Sequence, residues 1–222
     1  MQLTGRQLAN KWLKTEVLLQ DSRIAAHIPQ TKMYTAANLE KMLQRFGMVV
    51  IKPIRGGGGY GVIRVKLSAG IYTFTNLQKN HIYRSYNLMI KALNKVKVNR
   101  PYIIQQGIHL STIGGRPLDY RVKVVKENGV WETRAVVGRL ARPGLFVTNL
   151  CKGGTMLQGR TALQQSLPKH MVQKKRTEMR NLTRICTGLL ENKFPGLGQL
   201  GFDYGIDRKG RVWIFEVNTR PQ

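Results

Sequence analysis

Along residues 5–20 the apolar positions Leu8, Trp12, Leu13 and Val17 fall at i, i+4, i+5 and i+9, a spacing that predicts an amphipathic helix packed on a core. Asp21 is placed to cap a short helix that Pro29 ends. Thr35 is placed to cap a second, running through Leu39, Met42, Leu43 and Phe46 to Gly47. The period then changes. Met48–Ile54 and Val62–Leu67 are rich in β-branched residues or alternate apolar with basic, which predicts two strands around the run RGGGGYG, with a third strand over Ile71–Leu77 and a helix over Tyr83–Val96. Asn99-Arg100-Pro101 breaks the chain. YIIQQGIHL follows as a short strand, and Tyr120–Val125 and Val130–Val137 pair around a turn at Lys126–Gly129. Residues 142–160, with Pro143, Gly144, Gly153, Gly154 and Gly159, predict a long functional loop, and 168–192 a helix with Met171, Met179, Leu182, Ile185 and Leu189 on one side. Gly201–Asn218 reads as a hairpin turning at Asp207–Gly210. The alternation predicts an α+β fold of two lobes.

The chain has 222 residues with 42% hydrophobic, enough for a core, so its 37 Lys and Arg against 11 Asp and Glu, formally +26, decorate a fold and do not mark a disordered polycation. No apolar run approaches the ~20 residues of a membrane span, and the polar, basic N-terminus has no signal-peptide core, so a cytoplasmic location is expected. Cys151 and Cys186 form no C-x-x-C pair, which argues against a disulfide framework or a zinc site. Between Glu40 and Asp119 stand 13 basic residues and no acid. That stretch fits a solvated surface, a nucleic acid or an acidic metabolite, and charge alone does not choose among them.

The chemistry sits in two motifs. Gly56–Gly59 with Gly61 lets backbone N–H groups approach a polyphosphate, and Lys52, on the strand that enters the loop, supplies a point charge for it. No Gly-Lys-Ser/Thr follows, so it is not a Walker A loop. The second motif is the terminal hairpin. With a four-residue loop Asp207–Gly210, Ile206 faces Arg211 and Asp203 faces Ile214, which places Asp203, Glu216 and Asn218 on one sheet face. Phe202, Tyr204, Trp213, Phe215 and Val217 then fall on the other, apolar face. Two carboxylates and an amide are hard oxygen donors suited to Mg²⁺ shared with substrate phosphates.

The ordered set KPIRGGGGYGV, YIIQQGI, DYRVKVV, TNLCKGG and GFDYGIDRKGRVWIFEVNTRP resembles the ATP-grasp ligases, above all the bacterial YheC/YheD-type proteins named for association with the endospore coat; Asp119–Gly154 is also similar to RimK-type amino-acid ligases. The resemblance implies two α+β lobes clamping ATP: an N-terminal helical segment over 1–47, a small lobe over 48–100 and a large lobe over 101–222. It implies that Lys52 and the flap Gly56, Gly57, Gly58, Gly59 and Gly61 hold phosphates. Gln105, Gln106, Gly107 and Ile108 become the adenine hinge, and Arg121, Lys123, Arg139 and Asn149 line the phosphate and acyl-phosphate end. Asp203, Glu216 and Asn218 match the magnesium triad, and Arg220 is a candidate for orienting a carboxylate. The implied cofactors are ATP and Mg²⁺. The implied reaction activates an unidentified carboxylate as an acyl phosphate and passes it to a nucleophilic acceptor, with an acidic peptide or polymer among the candidate substrates and a link to the spore coat.

Three features depart from a full ligase: no separate N-terminal substrate domain, an end four residues after Asn218, and Gly201 where dipeptide-type ligases carry an arginine. A truncated form, a minimal enzyme and a nucleotide-binding relic all fit them. A protein kinase is excluded by order, since the lysine precedes the glycine loop and no H-R-D-x-x-x-x-N is present. A non-enzymatic nucleic-acid or polyanion binder explains the charge but neither Lys52 nor the terminal triad.

Overall fold

The computed structural model describes residues 5–221. Asn10 caps α1 (Lys11–Leu19), accepting from the backbone N–H of Trp12 and Leu13, and Asp21 caps α2 (Ser22–Ala25). Then come β1 (Thr31–Met33) and α3 (Ala36–Phe46), the latter capped by Thr35 and closed by a left-handed Gly47. Next are β2 (Met48–Pro53), β3 (Ile63–Ser68), β4 (Ile71–Asn76), β5 (Lys79–Tyr83) and α4 (Tyr86–Val96). With β6 (Tyr102–Gln106) these strands form one antiparallel sheet, ordered β1-β6-β2-β3-β4-β5. The apolar faces of α3 and α4 cover it, burying Leu39, Met42, Leu43, Met89 and Leu93 against Val49, Ile51, Ile63, Val65 and Phe74. Strands β1 and β6 bring residues from either side of 48–100 into this sheet.

The second sheet is built from β8 (Arg116–Glu127), β9 (Val130–Leu140), β10 (Thr155–Gln158), β11 (Gln199–Ile206) and β12 (Val212–Asn218), in the order β10-β9-β8-β11-β12, with β7 (Thr112–Ile113) beside β8. On one face α1, α5 (Gly159–Ser166) and the 25-residue α6 (Lys169–Lys193) enclose a core of Tyr120, Leu182, Cys186, Leu190, Phe202, Tyr204 and Ile214. The opposite face carries the candidate site. Mixed helix and sheet make the fold α+β, as the hydrophobic pattern predicts.

The structure departs from the pattern-based expectation in three places. The 142–160 segment is not all loop: it contains a 3-10 turn (Leu150–Lys152), then β10, and α5 begins at Gly159. β1 and β5 carry no clean alternation in the sequence and form because neighbouring strands offer free edges. The terminal hairpin has a different register. Its turn is one residue longer, so Ile206 faces Val212, because the Asp207 side chain accepts from the backbone N–H of Lys209 and Arg211 and fixes that turn. A β-bulge between Asp203 and Tyr204 then shifts the pairing once more, and Asp203 faces Glu216 directly.

A single-residue slip alone would turn Glu216 to the wrong face. The bulge restores it. The apolar face is therefore Phe202, Tyr204, Ile206, Val212, Ile214 and Val217, while Trp213 and Phe215 do not join it. Gly205 makes this arrangement fit: a Cβ there would stand 2.4 Å from the Phe215 ring and 2.6 Å from Leu110.

Candidate active site

A cavity of about 390 Å³ lies between the two sheets, roofed by Gly56–Gly59 and floored by β8, β9, β11 and β12. Seven Lys or Arg side chains line it (Lys11, Lys52, Arg64, Lys66, Arg121, Arg139, Arg208) against three carboxylates (Asp119, Asp203, Glu216). Such an excess of cations at a concave surface concentrates anions there.

On the floor, strand alternation turns Asp119 and Arg121 from β8, Arg139 from β9, Asp203 from β11 and Glu216 and Asn218 from β12 to the same side, with Asp203 opposite both Arg121 and Glu216. Asp203 accepts from Arg121 at both its oxygens, from Arg139 at 3.1 Å and from the Asn218 amide at 3.5 Å. Arg139 also forks onto Asp119 at 2.8 and 2.6 Å. Burial works against ionising Asp203, but Arg139 and Arg121 overcome it and hold its carboxyl below the usual range. Asp119 pairs with Arg139 alone among the described residues, and there burial wins and pushes the carboxyl up. Burial opposes the Arg139 charge, yet Asp203 and Asp119 raise its pKa on balance, so it stays a cation.

Lys52 points into the cavity from β2, donating to Gln105 Oε1 at 2.6 Å with the Phe215 ring 5.6 Å away. Its partner is a neutral amide, and burial pushes its ammonium down to about 8 against the pull of Glu216. Gln105 in turn donates to Thr31 Oγ1, tying β6 to β1. At the roof, Gly59 has φ +71° and its Cα faces Asn149, whose Oδ1 would be 2.5 Å from any Cβ. The Cys151 thiol donates to the Gly58 carbonyl at 3.4 Å, and Arg64 lies 4.8 Å from the Phe146 ring. The 142–153 segment therefore grips the flap and closes the cavity on that side.

Of the residues expected from sequence, Lys52, Gly56, Gly57, Gly58, Gly59, Gln105, Gln106, Ile108, Arg121, Arg139, Asn149, Asp203, Glu216 and Asn218 line this one cavity. Gly61, Gly107, Lys123 and Arg220 lie outside its lining. Gly61 packs against Pro53 and the Tyr102 hydroxyl, and Gly107 donates to the Met48 carbonyl at 2.9 Å, so both shape the frame. Lys123 lies two residues beyond Arg121 on β8, opposite Gly201 and Ala135, past the end of the cavity. Arg220 is exposed. At Gly201 a Cβ would meet Pro221 at 2.5 Å and Arg121 at 3.3 Å, so this position has no room for an arginine.

Lys11 was not anticipated. Read only as part of a packing helix, it instead reaches from the N-terminus of α1 to Glu216, at 3.1 Å, and donates to the Gly56 carbonyl. Its one legible signal was its own charge at a buried helical position. Asp119 was missed as well, though its register with Arg121 could have marked it.

A family model described as YheC/D-like ATP-grasp matches residues 1–222. Among curated proteins, the chain is 29% identical over 220 residues to the endospore coat-associated protein YheD of Bacillus subtilis (strain 168), covering 96% of this chain and 48% of YheD. It is 27% identical over 225 residues to YheC of the same organism, covering 98% of this chain and 61% of YheC. The chain thus spans about half to three-fifths of the length of these relatives. Similar solved folds include carboxyaminoimidazole ribonucleotide synthase from Aspergillus clavatus complexed with ATP, at 16% identity and TM-score 0.59, covering 98% of this chain and 46% of that one. D-alanyl-alanine synthetase A from Vibrio cholerae matches at 15% identity and TM-score 0.54, covering 96% and 55%.

Proposed function

The chain belongs to the YheC/D-like ATP-grasp family, and from that premise we propose that it is an ATP- and Mg²⁺-dependent ligase that joins a carboxylate to an amine or similar nucleophile through an acyl phosphate. The observation that carries this reading is the convergence of Asp203, Glu216 and Asn218 beneath the Gly56–Gly59 roof, in one cavity with Lys11, Lys52, Arg121 and Arg139.

The donor set fits magnesium. Two carboxylates and an amide are hard oxygen ligands of the kind that magnesium takes. Glu216 faces Asp203 across the hairpin, and Asn218 follows on the same face. Asp203 and Glu216 are engaged by Arg121, Arg139 and Lys11. Phosphate oxygens entering the cavity would draw those cations to themselves and free the carboxylates. When bound, the metal supplies charge neutralisation of the phosphates.

The protein's own residues then divide the work. Roof N–H groups and Lys52 hold the triphosphate, and the 105–108 hinge takes the base through backbone groups. Arg121 and Arg139 neutralise charge on the transferring phosphoryl group. A carboxylate oxygen attacks the γ-phosphorus, the bond to the β-bridging oxygen breaks, and ADP leaves. The nucleophile next attacks the acyl carbon, phosphate departs, and the amine loses a proton. No side chain need act as a covalent nucleophile; the residues act by orienting the reactants and by neutralising charge. The names of the two relatives, both endospore coat-associated, support a role in spore coat formation as the biological reading.

Product analysis with Mg-ATP and mixed amino acids tests the proposal. ADP and phosphate should appear together, only when a carboxylate is added, and Glu216→Gln should lower their rate at least 100-fold. AMP and pyrophosphate would show adenylation chemistry and refute it.

A further inference from the structure

The outer face of α6 lies on the far side of the second sheet from the cavity. Between Lys169 and Lys193 the helix holds seven Lys or Arg and two Glu. Lys169, Arg176, Arg180 and Arg184 fall at i, i+7, i+11 and i+15. At 100° per residue they form a row within about 80° of arc and roughly 22 Å long. All four are exposed, and none is in an ion pair among the described residues. Both glutamates are taken: Glu178 bonds Lys175, and Glu191 accepts from Lys126 and Trp131.

Like charges four apart on a helix repel each other and destabilise it. Arg176, Arg180 and Arg184 make two such pairs. The buried face, through Met179, Leu182, Cys186 and Leu190, holds the helix against that repulsion. Nothing within the described fold requires the row to be cationic.

We propose that this row is a docking surface for the phosphodiester backbone of a nucleic acid, read without regard to base sequence and independent of the cavity. The side of a helix has its backbone N–H groups already bonded, and the row carries no aromatic side chain and lies in no groove, so only charge and guanidinium hydrogen bonds are available for recognition. Those favour the partner with the densest fixed charge. Duplex DNA carries one per roughly 1.7 Å of axis, whereas a fully acidic extended peptide has one per about 3.4 Å. The arginine fork also matches phosphate oxygens bidentately. The +26 of the whole chain steers such a polyanion in.

Fluorescence anisotropy with a 20-base-pair duplex of arbitrary sequence, at several salt concentrations, tests the surface. Replacing Arg176, Arg180 and Arg184 together by Gln should weaken binding and reduce the slope of log K against log salt by about 2 to 3, at close to 0.9 per lost phosphate contact. Replacing the exposed Lys41, Lys91 and Lys95 by Gln removes the same charge elsewhere and should move the slope by less than 1. Affinity for a non-hydrolysable ATP analogue should be unchanged in both variants, which separates this surface from the ligase reading. An α6 variant with no larger slope change than the control would overturn the proposal. So would wild-type binding of poly-L-glutamate as tight as that of the duplex at equal salt.

Discussion

Lys52 is a half-buried cation whose one hydrogen-bond partner among the described residues is neutral, and the lowering of its pKa to about 8 has two consequences of opposite sign. For stability, an unfolded lysine holds its proton to about 10.4, so between pH 8 and 10.4 the unfolded chain binds more protons and this residue's contribution to stability rises with pH. Lys14, also lowered by burial to about 8, adds to the same rise. For ligand binding the direction reverses. An anionic phosphate favours protonated Lys52, so affinity for a non-hydrolysable ATP analogue should fall above pH 8, approaching tenfold per unit, with proton uptake measurable by calorimetry in buffers of different ionisation enthalpy. Lys52→Met should abolish that pH dependence while keeping the part of the stability rise that belongs to Lys14. Lys52 was legible because an ammonium in an otherwise apolar strand is anomalous. Lys11 was not, because its partners are Glu216, some 200 positions away, and a loop carbonyl, and no local pattern records them.

The hairpin of β11 and β12 shows what local pattern can and cannot supply at the level of an element. Alternation put Asp203, Glu216 and Asn218 on one face, and they share it, but by two compensating shifts that alternation does not contain. The longer turn depends on Asp207 accepting three hydrogen bonds, including one from Trp213 Nε1, and the bulge on space over Gly205. Gly205→Ala should therefore cost about 1–3 kcal/mol through overpacking against Phe215 and Leu110, read as a lower thermal midpoint. It should also weaken nucleotide binding, since Phe215 lines the cavity. An unchanged midpoint would mean that the ring position is not set by Gly205. Helices were more legible than edge strands. α3 carries its own caps and periodicity, whereas β1 and β5 take their structure from partners distant in the sequence or from a short return.

Across the whole molecule, two antiparallel sheets with helices on their outer faces enclose a cationic cavity between them, and a second cationic surface lies behind the larger sheet. The α+β class followed from the periods, but the inter-sheet contacts did not, because the grip of Asn149 and Cys151 on the flap joins segments some 90 residues apart. No helix among the described residues is long and apolar enough to cross a membrane. On the proposed function, the terminal hairpin and the glycine roof hold one metal–nucleotide complex between them. Calorimetric titration of a non-hydrolysable ATP analogue with and without Mg²⁺, on wild type, Asp203→Asn and Glu216→Gln, is the decisive measurement. Magnesium should tighten binding to the wild type by at least tenfold and by less than twofold in either variant. Equal magnesium enhancement in all three proteins would mean that these carboxylates do not hold the ion.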